Sequence, residues 1–211
     1  MPRACSPLVC AGFSRLLRRS PASVPCLPEG APRAQDPTTL RNICESIVIP
    51  NLQFRDSDEE IFRENYVDYI RKDSEGSDTD TRRRMASELV KALTSKFKET
   101  VTAAISGYVS SLLAEYAADP GRKWRQKDCA IYLIMALTVR GKSDAKGVTA
   151  TNELVSIGDF FAGHIVPELQ AAPGRAHDVL QADALKFLTA FRGQIPKPTA
   201  RALGRRASSS C

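Results

Sequence analysis

The sequence is poor in the groups that do chemistry. It has 2 histidines and 1 tryptophan in 211 residues, and none of its 6 cysteines forms a CxxC pair. A structural zinc site needs four ligands at recognisable spacing, and only His164 and His177 could supplement the scattered thiols, so the sequence predicts no metal site. No glycine-rich phosphate loop is present. Long apolar runs are missing as well. The longest, Cys129 to Val139, and a weak one near Pro7 to Phe13 both fall well short of the roughly 20 residues that span a bilayer. These absences predict neither an enzyme, nor a metal or cofactor protein, nor a membrane protein.

Weak matches to catalytic patterns fail on inspection. Asp78-Thr79-Asp80-Thr81-Arg82 has the acids of an aspartyl nucleophile, but Arg82 occupies its last position and no apolar strand precedes it. Asp56-Ser57-Asp58-Glu59-Glu60 begins like a calcium loop, yet Ile61 stands where the tight turn demands glycine. A Ser–His–Asp arrangement would have to use His164 or His177, each of which follows helix-forming sequence and reads as a surface or packed histidine.

The basic charge is also misleading. Residues 1–36 carry Arg3, Arg15, Arg18, Arg19 and Arg33 against Glu29 and Asp36, and residues 199–211 carry Arg201, Arg205 and Arg206 with no acid. These tails account for the whole formal charge of +6, leaving a neutral body with no basic stripe for nucleic acid. The acid-free start resembles a transit peptide, but prolines at 2, 7, 21, 25, 28 and 32 interrupt any amphipathic helix. We expect disorder in 1–37 and 199–211, with Cys44 and Cys129 as reduced, buried thiols of the folded part.

From Thr38 the pattern becomes helical. Leu40, Ile43, Cys44, Ile47 and Val48 predict one helix, stopped by Pro50. Asp56 to Asp80 then holds ten acids against Arg63, Arg71 and Lys72, punctuated by Phe62, Tyr66, Tyr69 and Ile70. A solvated acidic loop needs no such residues. We therefore expect a short helix or ordered insertion at 55–80 that packs one face and displays carboxylates on the other. The stretch Asp73 to Arg84 closes it, with hydroxyls and acids suited to capping the next helix. In that helix Met85, Leu89, Leu93 and Phe97 step by four. Further helices are expected at Val101 to Tyr116, from Trp124 through Leu137, at Leu154 to Val166 with Pro167 bending or ending it, and at Val179 to Phe191. Between the second and third of these, Gly141 to Thr151 reads as a polar loop.

An internal repeat links three of these helices. Leu89-Val90-Lys91-Ala92-Leu93, Leu133-Ile134-Met135-Ala136-Leu137 and Phe187-Leu188-Thr189-Ala190-Phe191 share the order apolar, apolar, any, Ala, apolar. Recurrence at about 40–47 residues is the signature of HEAT or armadillo helix pairs, so the predicted fold is all-α, an α-solenoid of antiparallel HEAT-type pairs. The alanines are expected to let neighbouring helices approach closely.

Asn51 to Tyr69, Ile70 to Arg84, Trp124 to Leu133, Phe160-Phe161, Ile165 to Leu169 and Phe191 to Lys197 closely resemble the central region of the exportin-2, or cellular apoptosis susceptibility, family of the importin-beta superfamily. The resemblance covers about 40–198, with Glu75 to Arg84 its most specific string. It implies about three HEAT repeats within 38–198, no catalysis, no cofactor, and shuttling between nucleus and cytoplasm. It further implies a nuclear transport receptor that carries importin-alpha out of the nucleus with Ran-GTP. The positions implied for partner contact are Asp56, Asp58, Glu59, Glu60, Asp73, Glu75, Asp78, Asp80, Arg82, Arg83 and Arg84. The flanks 1–37 and 199–211 match nothing in that family. The alternative expectation is a truncated product or helical scaffold without transport activity, self-associating through exposed solenoid ends.

Overall fold

The computed structural model describes residues 36–75, 81–140, 143–144, 147–172, 174 and 177–195. Helix α1 is a continuous run of Pro37–Ile43, a π-helical turn Cys44–Val48, and Ile49–Leu52. Its start follows from Asp36, whose carboxylate accepts from the Thr39 N–H at 3.0 Å, with Pro37 in the first turn where no N–H is needed. Two short helices follow, α2 (Asp56–Glu64) and α3 (Tyr66–Glu75). The long elements are α4 (Arg82–Lys96), α5 (Lys98–Ala118) and α6 (Trp124–Thr138). Helix α7 again runs through a π-turn, as Ile157–Phe160, Phe161–Ile165 and Val166–Gln170, and α8 is Asp178–Ala190.

Packing sorts the long helices into two layers. One contains α4, α6 and α8, with α6 packed between the other two, and the second contains α1 and α5, which pack on each other and on α4 and α6. Helix α7 packs on α8, completing another pair. This layered order is the predicted solenoid. Helix α6 has neighbours on every side, and 12 of its 15 residues are buried, which is why its sequence is apolar nearly all round. The core runs through both layers and includes Leu40, Leu52, Ile105, Ile131, Leu133, Leu137, Phe187 and Phe191.

Four local expectations change. Pro50 does not stop its helix, and of the two outcomes left open for Pro167, ending the helix is not the one observed. Each lies two residues past a π-turn, where Ile49 N–H reaches back to Cys44 O and Val166 N–H to Phe161 O. The wider turn accommodates a ring that has no N–H and that would clash with the carbonyl four residues earlier in a regular helix. The flanking sequences, Ile49-Pro50-Asn51-Leu52 and Val166-Pro167-Glu168-Leu169, share one pattern, a second internal repeat placed on α1 and α7.

In α4 the buried stripe is Arg83, Ala86, Val90 and Thr94, whereas Met85 is 54% exposed and Leu89, Leu93 and Phe97 flank the core. The face turned inward is centred one residue beyond the purely apolar series because α4 sends an arginine into the protein. The repeated alanines differ in environment too. Ala136 is buried on doubly covered α6, Ala190 is half-buried, and Ala92 is exposed, so only the first of these serves close packing.

Residues Gly141 to Thr151 are not simply loop. Strands β1 (Ser143–Asp144) and β2 (Gly147–Val148) pair antiparallel, and Val139 bridges Thr151. The hairpin folds back on the end of α8, where Gln194 Nε2 donates to Val148 O at 2.7 Å. Gly147 has φ 102°, and a Cβ there would lie 2.6 Å from Ala190 O, so this position requires glycine.

Candidate functional site

The predicted acidic insertion is, over its described part, a hairpin of α2 and α3. Asp56, Asp58 and Glu59 occupy the first turn of α2, where the unpaired N–H groups and the helix dipole favour carboxylates. Asp58 Oδ2 accepts from the Arg55 N–H at 2.9 Å. Asn65 separates the helices and starts the second, its Oδ1 accepting from Asp68 N–H at 3.1 Å. No residue of α2 is buried. One face is nevertheless attached to the body by aromatic contacts, with Tyr69 edge-on to Phe54 and Phe62 at 5.9 and 5.4 Å, and Phe54 edge-on to Trp124 at 5.3 Å.

Two arginines tie the acids down. Arg125 Nη2, at the start of α6, donates to Asp56 Oδ1 and Glu59 Oε2, both at 2.6 Å, and the Glu59 hydrogen bond holds its pKa above the ordinary value. Arg82 Nη2 meets Asp58 Oδ2 at 2.7 Å, while its Nη1 donates to the carbonyls of Pro50, Asn51 and Gln53 at 3.2, 2.7 and 3.1 Å. Arg82 thereby satisfies carbonyls orphaned at the end of α1 and joins them to the insertion.

The three consecutive arginines have different surroundings. Arg83 is buried, and its Nη2 lies 2.7 Å from both oxygens of Asp128 on α6. Its Nε donates to Leu52 O at 2.9 Å, its Nη1 to Tyr69 Oη at 3.1 Å, and the guanidinium stacks 3.6 Å from the Tyr132 ring centre. Burial opposes its charge, but Asp128 and the surrounding phenols outweigh that and raise its pKa well above the ordinary value. Arg84 is exposed, and its N–H donates to Thr81 Oγ1 at 3.2 Å, so Thr81 is the cap of α4.

Of the eleven implied contact positions, Asp56, Glu60 and Arg84 are exposed, and Asp58, Glu59 and Arg82 are half-buried within ion pairs. Asp73 is half-buried at the end of the hairpin, accepting from Lys186 Nζ of α8 at 2.5 Å and from the hydroxyl of Tyr132. Glu75 ends α3, and its side chain, like Asp78 and Asp80, lies outside the described residues.

Sequence reasoning missed Arg125, Asp128, Tyr132 and Lys186, the partners these residues meet. A usable signal existed. Lys127 and Asp128 interrupt an otherwise apolar helix, and buried charges require partners. Lys127 Nζ indeed meets Glu168 of α7 at 2.5 Å, joined by Tyr116 Oη at 3.1 Å. Among the described residues no cluster of His, Cys, Asp and Glu could hold a metal ion, and no helix is long and apolar enough to cross a membrane. Cys44 and Cys129 are buried and free, and burial pushes the Cys129 thiol up to about 12.

Comparison with known proteins agrees with this architecture. The Cse1 family model matches residues 23–205, and so extends into parts of the flanks 1–37 and 199–211 that the motif resemblance left unmatched. The chain is 48% identical over 163 residues to Exportin-2 of Pagrus major and 47% identical over the same length to Exportin-2 of Homo sapiens, covering 77% of this chain and 17% of each relative. The solved structure of the exportin Cse1 in its cargo-free, cytoplasmic state superposes with a TM-score of 0.73 at 37% identity, over 77% of this chain and 18% of that one. The chain thus spans about 17% of the length of the curated relatives it matches.

Proposed function

The chain belongs to the Cse1 family, and from that premise we propose that it is a central segment of a nuclear transport receptor that binds Ran-GTP and importin-alpha and moves between nucleus and cytoplasm without catalysing a reaction. The observation that carries the reading is the α2–α3 hairpin. Its aromatic face is fixed to the body, its acids are oriented by Arg82 and Arg125, and Asp56 and Glu60 remain in solvent. A carboxylate set held on a rigid support attracts basic partner surfaces and fixes their register. We assign Asp56 and Glu60 to direct contact, and Asp58, Glu59, Asp73, Arg82 and Arg83 to holding the hairpin in position. The implied roles of Glu75, Asp78, Asp80 and Arg84 stay with the partner-facing set, and the binding segment with residues 38–198.

The test is capture of Ran in GTP-locked and GDP-bound forms on the immobilised full chain, with and without importin-alpha. GTP-selective capture that strengthens with importin-alpha is expected. Equal or absent capture in all four conditions would remove the transport reading. A second reading, an interaction scaffold without transport activity, rests on apolar side chains left exposed on the helices. Under it the chain self-associates through exposed apolar side chains such as Met85, Leu154 and Leu185, and sedimentation would show concentration-dependent oligomers in place of Ran complexes.

A further inference from the structure

A groove of about 850 Å³ lies between the hairpin and α8, lined by Phe62, Tyr66 and Ile70 of the hairpin and by His177, Gln181 and Leu185 at α8. His177 makes two contacts there. Its half-buried imidazole lies flat on Trp124 at the start of α6, with ring centres 3.7 Å apart and planes 12° from parallel. Its Nδ1 accepts from the Val179 N–H at 3.4 Å, so the same ring caps α8. Trp124 in turn meets Phe54, which is edge-on to Tyr69 of α3, and its neighbour Arg125 holds Asp56 and Glu59 of α2. One imidazole therefore joins α8 to the residues that support the acidic hairpin.

We infer that His177 is a proton-operated clasp: the neutral ring joins α8 to Trp124, and a proton on Nδ1 opens that junction beside the acidic hairpin. The reason lies in donors and acceptors. Nδ1 accepts from Val179 only while it carries no hydrogen, which places the ring's one hydrogen on Nε2, whereas the imidazolium has an N–H at both positions and caps nothing. The imidazolium also sets a positive charge against the unpaired N–H groups and the positive end of the α8 dipole. The titratable groups around the ring are Glu59 and Arg63 from α2, Tyr66 from α3, Arg125 from α6 and Asp178 from α8. Burial is the largest influence and lowers the His177 pKa, Glu59 and Asp178 oppose it, and Arg125 and Arg63 reinforce it. The two acids do not win, because Glu59 is already shared between Arg125 and Arg63, and Asp178 is exposed to water.

The linkage has a definite sign. A histidine whose folded-state pKa is lowered stabilises the fold fully above its unfolded value near 6.5, and that contribution is lost as pH falls through the folded value. The chain has 1 tryptophan and 2 histidines, so the clasp is readable in the full protein. In nuclear magnetic resonance titrations, the histidine ring with through-space contacts to the indole should titrate below pH 6.5, and the Val179 amide should shift with the same midpoint. Tryptophan emission should change over that range too, as the neutral ring on Trp124 gives way to a charged or displaced one. His177→Asn keeps a capping oxygen but cannot titrate, so it should abolish the emission change, and His164→Asn should leave it intact. The wild-type resonance titration is decisive if either variant folds poorly. A His177 midpoint at or above 6.5, a Val179 amide that does not follow it, or an emission change that persists in His177→Asn or is lost in His164→Asn would overturn the inference.

Discussion

Helix α6 and the α2–α3 hairpin lie side by side and use ion pairs in opposite ways. In α6 the charges are buried. Asp128 is fully enclosed with Arg83, and Lys127 with Glu168, so each charge has given up water and depends on partners inside the protein. In the hairpin Asp56 is 88% exposed even while paired with Arg125, and water competes for both groups. The same pairing therefore fixes helix positions in one region and merely orients a surface in the other. A buried pair is costly to break, whereas an exposed acid contributes little stability and keeps its oxygens in solvent.

This contrast fails if substitutions in the two regions have similar effects. The largest expected effect is Arg83→Leu, which strands Asp128 and breaks links to Leu52 O and Tyr69. Chemical denaturation should show a loss of about 3–5 kcal/mol. Lys127→Met comes next, at about 2 kcal/mol, because Glu168 keeps the Tyr116 hydroxyl as a donor. Arg82→Ala removes half-exposed contacts to three carbonyls and Asp58, and should cost about 1 kcal/mol with a hairpin that exchanges amide hydrogens faster. Smallest is Asp56→Asn with Glu60→Gln, expected to stay within about 0.5 kcal/mol of wild type in the same denaturation. That double variant should nonetheless weaken Ran-GTP capture at low salt. Unchanged capture would place recognition elsewhere.

Much of this was legible in the residues. The helices after Arg82 follow from apolar periodicity, and the two-layer arrangement from the repeated apolar-Ala pattern, because a helix pair that cannot bury its own face must stack on neighbours. An ordered acidic insertion was visible through aromatics that a solvated loop would not need, whereas its division into two helices at Asn65 was not. Pro50 and Pro167 were misleading since a proline is read against a regular α-helix, and nothing in single-residue preference announces a π-turn. Among the implied contact residues, Arg82, Arg83 and Arg84 could not be told apart. They are identical in type and consecutive, and only the position of α6 decides which of them meets Asp128.

The sequence by itself therefore determined the all-α class, the order of helices, the acidic segment and the family. Each of these rests on periodicity, local capping or residue identity along the chain. The tertiary structure decided which charges are buried, which alanine is a packing residue and which of three consecutive arginines meets Asp128. Those outcomes depend on distances between residues far apart in the chain, such as Arg83 and Asp128 or Asp73 and Lys186, where burial converts a modest surface attraction into a requirement.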